Sequence, residues 1–109
     1  MEYLFLCSKG IDRSPTAVEV AEKIAKERGL ELKAVSYGID KVWNFPDFHL
    51  RIYFDTFDKI FVMEQRMKER VIKTGYPEER VHCLNITGDY VRGQAHLVAE
   101  LEILLKDLL

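Results

Sequence analysis

Four short apolar runs recur along the chain, and each is followed by a stretch with helical character. The runs are Tyr3-Leu4-Phe5-Leu6 within residues 2–7, Leu32 to Ser36, Lys59 to Met63, and Arg80 to Leu84. They are too short for helices and read as strands; the first and third are continuously apolar, the pattern of a strand covered on both faces. Strands alternating with helices predict an α/β three-layer sandwich. In it a four-stranded parallel sheet carries helices on both faces. In open sheets of this kind ligands bind beyond the carboxyl ends of the strands.

The intervening segments carry helix signals. Ser14 reads as an N-cap with Pro15 in the first turn, and Ala17, Ala21, Ile24 and Ala25 form one face of a helix ending at Gly29. Residues 39–46 read as loop. Pro46 opens a helix to about Asp55, with Phe48, Ile52 and Phe57 expected inward. Glu64 to Lys73 reads as a charged, solvated helix with Met67, Val71 and Ile72 buried. Gly75, Tyr76 and Pro77 end it. Gly88 and Gly93 flank an irregular loop. From about Gln94 a last helix lines up Leu97, Leu101, Leu104, Leu105 and Leu108.

At 109 residues the chain is expected to form one domain, 1–109, large enough to bury a core without disulfides. A formal net charge of −2 gives no basic surface for nucleic acid, and no apolar run reaches membrane-spanning length. No basic region precedes the first apolar run, which argues against a signal peptide and for the cytoplasm. The two cysteines, Cys7 and Cys83, make no disulfide framework. Cys83 reads as a core residue. His49 and His82 lack the spacing of a metal site, and no metal or other cofactor is expected.

The chemistry concentrates in the loop after the first strand, Cys7-Ser8-Lys9-Gly10-Ile11-Asp12-Arg13-Ser14. A loop feeding a helix N-terminus offers unpaired N–H groups and a dipole that favours an anion. Arg13 adds a planar fork matching two phosphate oxygens. Together these groups favour negative charge on the Cys7 sulfur. A thiolate beneath a bound phosphoryl group is placed for in-line attack, giving a phosphocysteine. Ser14 is placed to donate to the sulfur, and Gly10 lets the backbone bend tightly.

The run Cys7-x5-Arg13-Ser14-Pro15-Thr16-Ala17 resembles the phosphate-binding loop of the low-molecular-weight protein tyrosine phosphatases. It is closest to the short bacterial and archaeal branch of predicted tyrosine phosphatases. Other landmarks follow in order. Ser36-Tyr37-Gly38 stands where the family has Ser-Ala-Gly, and Phe61-Val62-Met63-Glu64 matches its third strand. Val81 to Ile86 with Asp89-Tyr90 matches the approach to its acid loop. The resemblance implies Cys7 as nucleophile, Arg13 as clamp and the backbone of Ser8, Lys9, Gly10, Ile11, Asp12 and Arg13 as cradle. Ser14 would support the thiolate. Among the aromatic residues, Tyr90, beside the expected acid loop, is the better candidate for a wall against an aromatic ring. The implied substrate is a phosphorylated protein or a small aryl phosphate.

Three positions depart from that pattern. The family's loop Asn is Gly10. Asp12 sits in the anion loop, where a carboxylate facing the ligand would repel it. The family's acidic Asp-Pro pair falls at Gln94-Ala95, and Gln94 has no acidic proton; Asp89 is the first substitute and His96 the second. These departures keep a non-catalytic phosphate-binding module open beside the phosphatase. Arsenate reduction would need Cys83 as a resolving thiol. A sugar phosphotransferase subunit carrying phosphate on Cys7 fits poorly with Arg13.

Overall fold

The computed structural model of the protein describes residues 1–87 and 90–109. Its elements are β1 (Glu2–Cys7), α1 (Arg13–Glu27), β2 (Lys33–Gly38), a 3₁₀ turn (Ile39–Val42) and α2 (Asp47–Phe54). There follow β3 (Lys59–Val62), α3 (Gln65–Lys73), a second 3₁₀ turn (Glu78–Arg80), β4 (Val81–Cys83) and α4 (Ala95–Leu108). The strands form one parallel sheet in the order β2-β1-β3-β4. This is the expected α/β architecture.

The strand order decides where the helices go. The chain moves from β1 outward to β2, then back across β1 to β3 and on to β4. Right-handed crossovers in opposite directions put α1 on one face of the sheet and α2 and α3 on the other. α4 returns to pack beside α1. The change of direction falls between β1 and β3, which opens a crevice at their carboxyl ends. Cys7 is the last residue of β1, at that crevice.

Every residue of β1 from Tyr3 to Cys7 is buried, as are Ile60, Phe61 and Val62 of β3. Phe5 and Phe61 stack across the two strands at 4.8 Å. Burying side chains of this size contributes about 1.5–3 kcal/mol each. Leu97, Leu101 and Leu105 are the buried stripe by which α4 joins the core, as its periodicity predicts.

Three local expectations are corrected. Helix α1 begins at Arg13, so Asp12 rather than Ser14 precedes it, and Ser14 is fully buried within the first turn. In α2 the phase differs: Leu50 and Phe54 face the core, while Phe48 and Ile52 are 64% and 66% exposed. Only Phe57, beyond the helix, is inward as expected. Aromatic content misled here, because a two-position phase shift, about half a turn, moves Phe48 and Ile52 to the outer face while Leu50 and Phe54 keep an i,i+4 stripe. Cys83 is half-buried rather than core, its thiol donating to Asn85 Oδ1 at 3.3 Å.

On β4, His82 stacks on Phe61 at 5.2 Å. Its Nε2 is buried and has no hydrogen-bond partner among the described residues. Burial, and then the charges of Lys59 and Lys68, push its imidazolium below the ordinary value of 6.5. The unfolded chain therefore takes up this proton more readily than the folded one. Unfolding free energy should decline as pH falls below 6.5. In His82→Phe that part of the decline should vanish; urea titrations from about pH 8 to about pH 5 measure it.

Candidate active site

Parallel pairing of β1 with β2 sets Cys7 directly beside Gly38. The loop leaving Cys7 folds back over this pair. Gly10 has φ +78°, a conformation that side chains disfavour, and a Cβ on it would lie 2.5 Å from the Gly38 nitrogen. A Cβ on Gly38 would lie 2.3 Å from the Lys9 carbonyl oxygen. The loop thus rests on the end of β2 backbone against backbone. Asp40 N–H donates to the Ser8 carbonyl at 3.1 Å and closes the contact. Gly10, a departure from the resembled pattern, is the residue that lets the loop take this shape.

The loop encloses the Cys7 sulfur. Gly10 N–H donates to Sγ at 3.1 Å, and Ser14 Oγ lies 3.1 Å from it on the other side. The thiol is 3% exposed and forms the floor of a cavity of about 270 Å³. Ser8, Lys9, Ile11, Asp12, Arg13 and Tyr90 form the walls. The 15-residue helix α1 presents its N-terminus here.

Arg13 is 8% exposed and firmly held. Its Nη1 donates to Glu64 Oε2 and to the Ile86 carbonyl, both at 2.7 Å, and its Nη2 to Ser8 Oγ at 3.1 Å. Pairing that continues past the strand ends brings these acceptors in. Leu84 N–H donates to Val62 O at 2.8 Å and Ile86 N–H to Met63 O at 2.9 Å, which carries the Ile86 carbonyl to the guanidinium.

Sequence reasoning missed the second tier of the site. Glu64, read only as a landmark, bridges Arg13 and Arg66, the latter through Oε1 at 3.1 Å. Arg66, assigned to a solvated face, reaches Ser8 Oγ at 2.8 Å and Asp40 Oδ1 at 3.1 Å, with its guanidinium 5.3 Å from the Trp43 ring centre. A charged pair immediately after β3, at the carboxyl edge of the sheet, was the available signal. Burial alone would raise the Glu64 carboxyl, but the hydrogen bonds and charges of Arg13 and Arg66 prevail and hold it below its ordinary range.

Asp12 stands in the cavity wall, and its Oδ1 accepts the Arg92 N–H at 3.0 Å. Its carboxylate is thereby tied to the segment after β4. Gly93 N–H donates to Thr16 Oγ1 at 3.0 Å, and the Arg92 guanidinium pairs with Glu19, so residues 92–93 are stitched to α1. Tyr90 stacks on His96 with centroids 6.2 Å apart and donates to Glu100 at 3.4 Å. Gln94 precedes α4 and accepts the Val91 N–H through Oε1 at 3.2 Å. Asp89 lies outside the described residues. Among the described residues no cluster of His, Cys, Asp and Glu suited to a metal occurs, and no helix is long and apolar enough to cross a membrane.

The sheet order and this loop define the fold of the low-molecular-weight protein tyrosine phosphatases. No family model matches the chain, and no curated protein matches it in sequence. Solved structures do match. A low-molecular-weight protein tyrosine phosphatase from Bacillus subtilis superposes with a TM-score of 0.67 at 21% identity, covering 99% of this chain and 97% of that one. One from Entamoeba histolytica gives 0.72 at 18% identity, covering 99% and 94%. The arginine phosphatase YwlE, in a mutant with a phosphorylated active-site serine, gives 0.65 at 18%, covering 99% and 95%. At these identities the likeness is one of fold.

Two outcomes follow from the geometry. Gly38→Ala should destabilise the protein by about 2 kcal/mol or more and dislodge the loop, read by thermal melts. The Glu64 carboxylate is favoured by folding, so its contribution is present above its ordinary value of 4.5 and is lost as pH falls through the lower folded value. In Glu64→Gln that acid-side loss of stability should be absent in urea titrations.

Proposed function

We propose that the protein is a phosphomonoester hydrolase of the protein tyrosine phosphatase type, acting through a phosphocysteine at Cys7. The observation that carries this reading is a thiol flanked at 3.1 Å by an N–H group and a hydroxyl, on the floor of a cavity walled by a buried arginine. Neutral apolar packing would not place two hydrogen-bonding groups against one sulfur in a cavity that an arginine also lines. The phosphatase neighbours share the fold in which this arrangement sits.

In the proposed reaction the Cys7 thiolate accepts hydrogen bonds from Gly10 N–H and the Ser14 hydroxyl. Arg13 and the helix terminus hold the phosphate oxygens. Sγ attacks phosphorus, the S–P bond forms, and the P–O bond to the leaving group breaks. A proton donor neutralises the departing oxygen. Water then attacks phosphorus, the S–P bond breaks, and inorganic phosphate and the thiolate are released. Ile11 and Tyr90 give the cavity apolar walls that suit an aryl leaving group.

We assign the proton donor to Asp89, one residue before Tyr90. Gln94 carries no acidic proton and is engaged with Val91. Loss of a general acid costs about 10²–10⁴-fold, and least for a good leaving group. An aryl phosphate can therefore turn over even with a weak donor.

A phosphate-binding module without turnover is the second reading, favoured by Gln94 and by a carboxylate in the cavity wall. Arsenate reduction is disfavoured by topology. Cys83 sits on β4, with β3 between it and β1, roughly 9–10 Å from the Cys7 strand. A disulfide needs Cα atoms within about 7 Å.

Turnover of p-nitrophenyl phosphate, phosphotyrosyl peptide and phosphoarginine by purified protein tests the proposal. Aryl phosphate hydrolysis should be lost in Cys7→Ser and fall by orders of magnitude in Arg13→Ala. Asp89→Asn should slow phenyl phosphate far more than p-nitrophenyl phosphate, whose leaving group scarcely needs the proton. Phosphate binding with no Cys7-dependent turnover would leave only the binding module.

A further inference from the structure

Ser8 Oγ accepts two charged donors, Arg13 Nη2 at 3.1 Å and Arg66 Nη2 at 2.8 Å. A hydroxyl has two acceptor lone pairs and one proton. With both lone pairs occupied, the hydroxyl is left with its donor function only. Ser8 is also a wall of the cavity above Cys7. Two guanidinium groups polarise the O–H bond and make it a stronger donor than an isolated serine.

Arg66 is fixed for this task. Asp40 and Glu64 each take one of its N–H groups, and the guanidinium lies over Trp43. Arg13 and Arg66 thus share both Glu64 and Ser8, forming a closed ring of four side chains beside the cavity.

We propose that the Ser8 hydroxyl is a direct donor to a bound phosphate oxygen, aimed by Arg66 as a positioning residue. This rests on the reading that the cavity binds phosphate. The ring leaves the anion with a side-chain donor from the loop itself, in addition to the clamp and the backbone. Three of the five Arg66 N–H groups go to Ser8, Asp40 and Glu64, and this anchoring fixes its Nη2 on the Ser8 hydroxyl, through which it acts.

Calorimetric titration of inorganic phosphate into the full chain tests both residues, with thermal melts run alongside. Wild type should bind. Ser8→Ala should weaken binding about tenfold, the effect of one hydrogen bond to a charged group, and Ser8→Thr should restore it. Arg66→Met, which keeps an unbranched side chain next to Trp43, should weaken binding by a similar factor. The double variant Ser8→Ala with Arg66→Met should be no weaker than the weaker single variant, since both act through one hydroxyl. Equal phosphate affinity in wild type and Ser8→Ala overturns the donor role. Additive losses in the double variant overturn the positioning role and make Arg66 an independent charge. If wild type itself binds no phosphate, the phosphatase reading fails first, and this inference with it.

Discussion

The site depends on a contact in which no side chain takes part. Two strands paired in parallel register bring Cys7 level with Gly38, and the following loop then lies on Gly38 at a distance only glycine permits. Gly10 completes the fit with its left-handed backbone. With a Cβ at either position the loop would have to rise from the sheet. The N–H of Gly10 would then leave the sulfur, and Ser8 would leave both arginines. The position of every polar group around the thiol is inherited from the register of β1 with β2.

From that contact the charges are arranged outward in tiers. The sulfur meets Gly10 and Ser14. Arg13 stands beside it, buried and anchored to Glu64 and to the Ile86 carbonyl. Arg66 and Asp40 form the rim. A buried guanidinium without a carboxylate would carry a large desolvation cost, so Glu64 is required by Arg13 whatever the ligand. Its position directly after β3 follows from the same switch in strand direction that opens the crevice. The second tier is therefore a consequence of the first.

Much of this was legible in the sequence because it depends on short-range signals. Apolar runs gave the strands, Cys7-x5-Arg13 marked the loop, and the leucine spacing of α4 gave its buried face. Reading failed where a residue's partner is distant in sequence. Glu64 and Arg66 lie more than 50 positions from the loop they serve, and a charged helix start looks the same whether its partners are water or arginine. Of the two roles read for Ser14, the contact with the sulfur seven residues earlier is present, while the cap position falls to Asp12. Phe48 and Ile52 show the opposite failure, since large apolar side chains were read inward while the helix phase followed Leu50 and Phe54. Asp12, read as a potential repulsion, turned out to be tied to the Arg92 backbone.

The anchoring of Arg13 has a consequence for how affinity is distributed over the molecule. A free arginine loses about 2 kcal/mol of rotamer entropy when it is immobilised. Here that loss is incurred on folding, because Glu64 and the Ile86 carbonyl fix the guanidinium before any anion arrives. On the proposed reading, an anion entering the cavity would meet an ordered clamp and be spared the cost of arranging it. The Ile86 carbonyl is held by pairing beyond the end of β3, on the opposite side of the sheet from Gly38. Fraying at that far edge would thus be felt as weaker binding, without any change in the residues that touch the ligand.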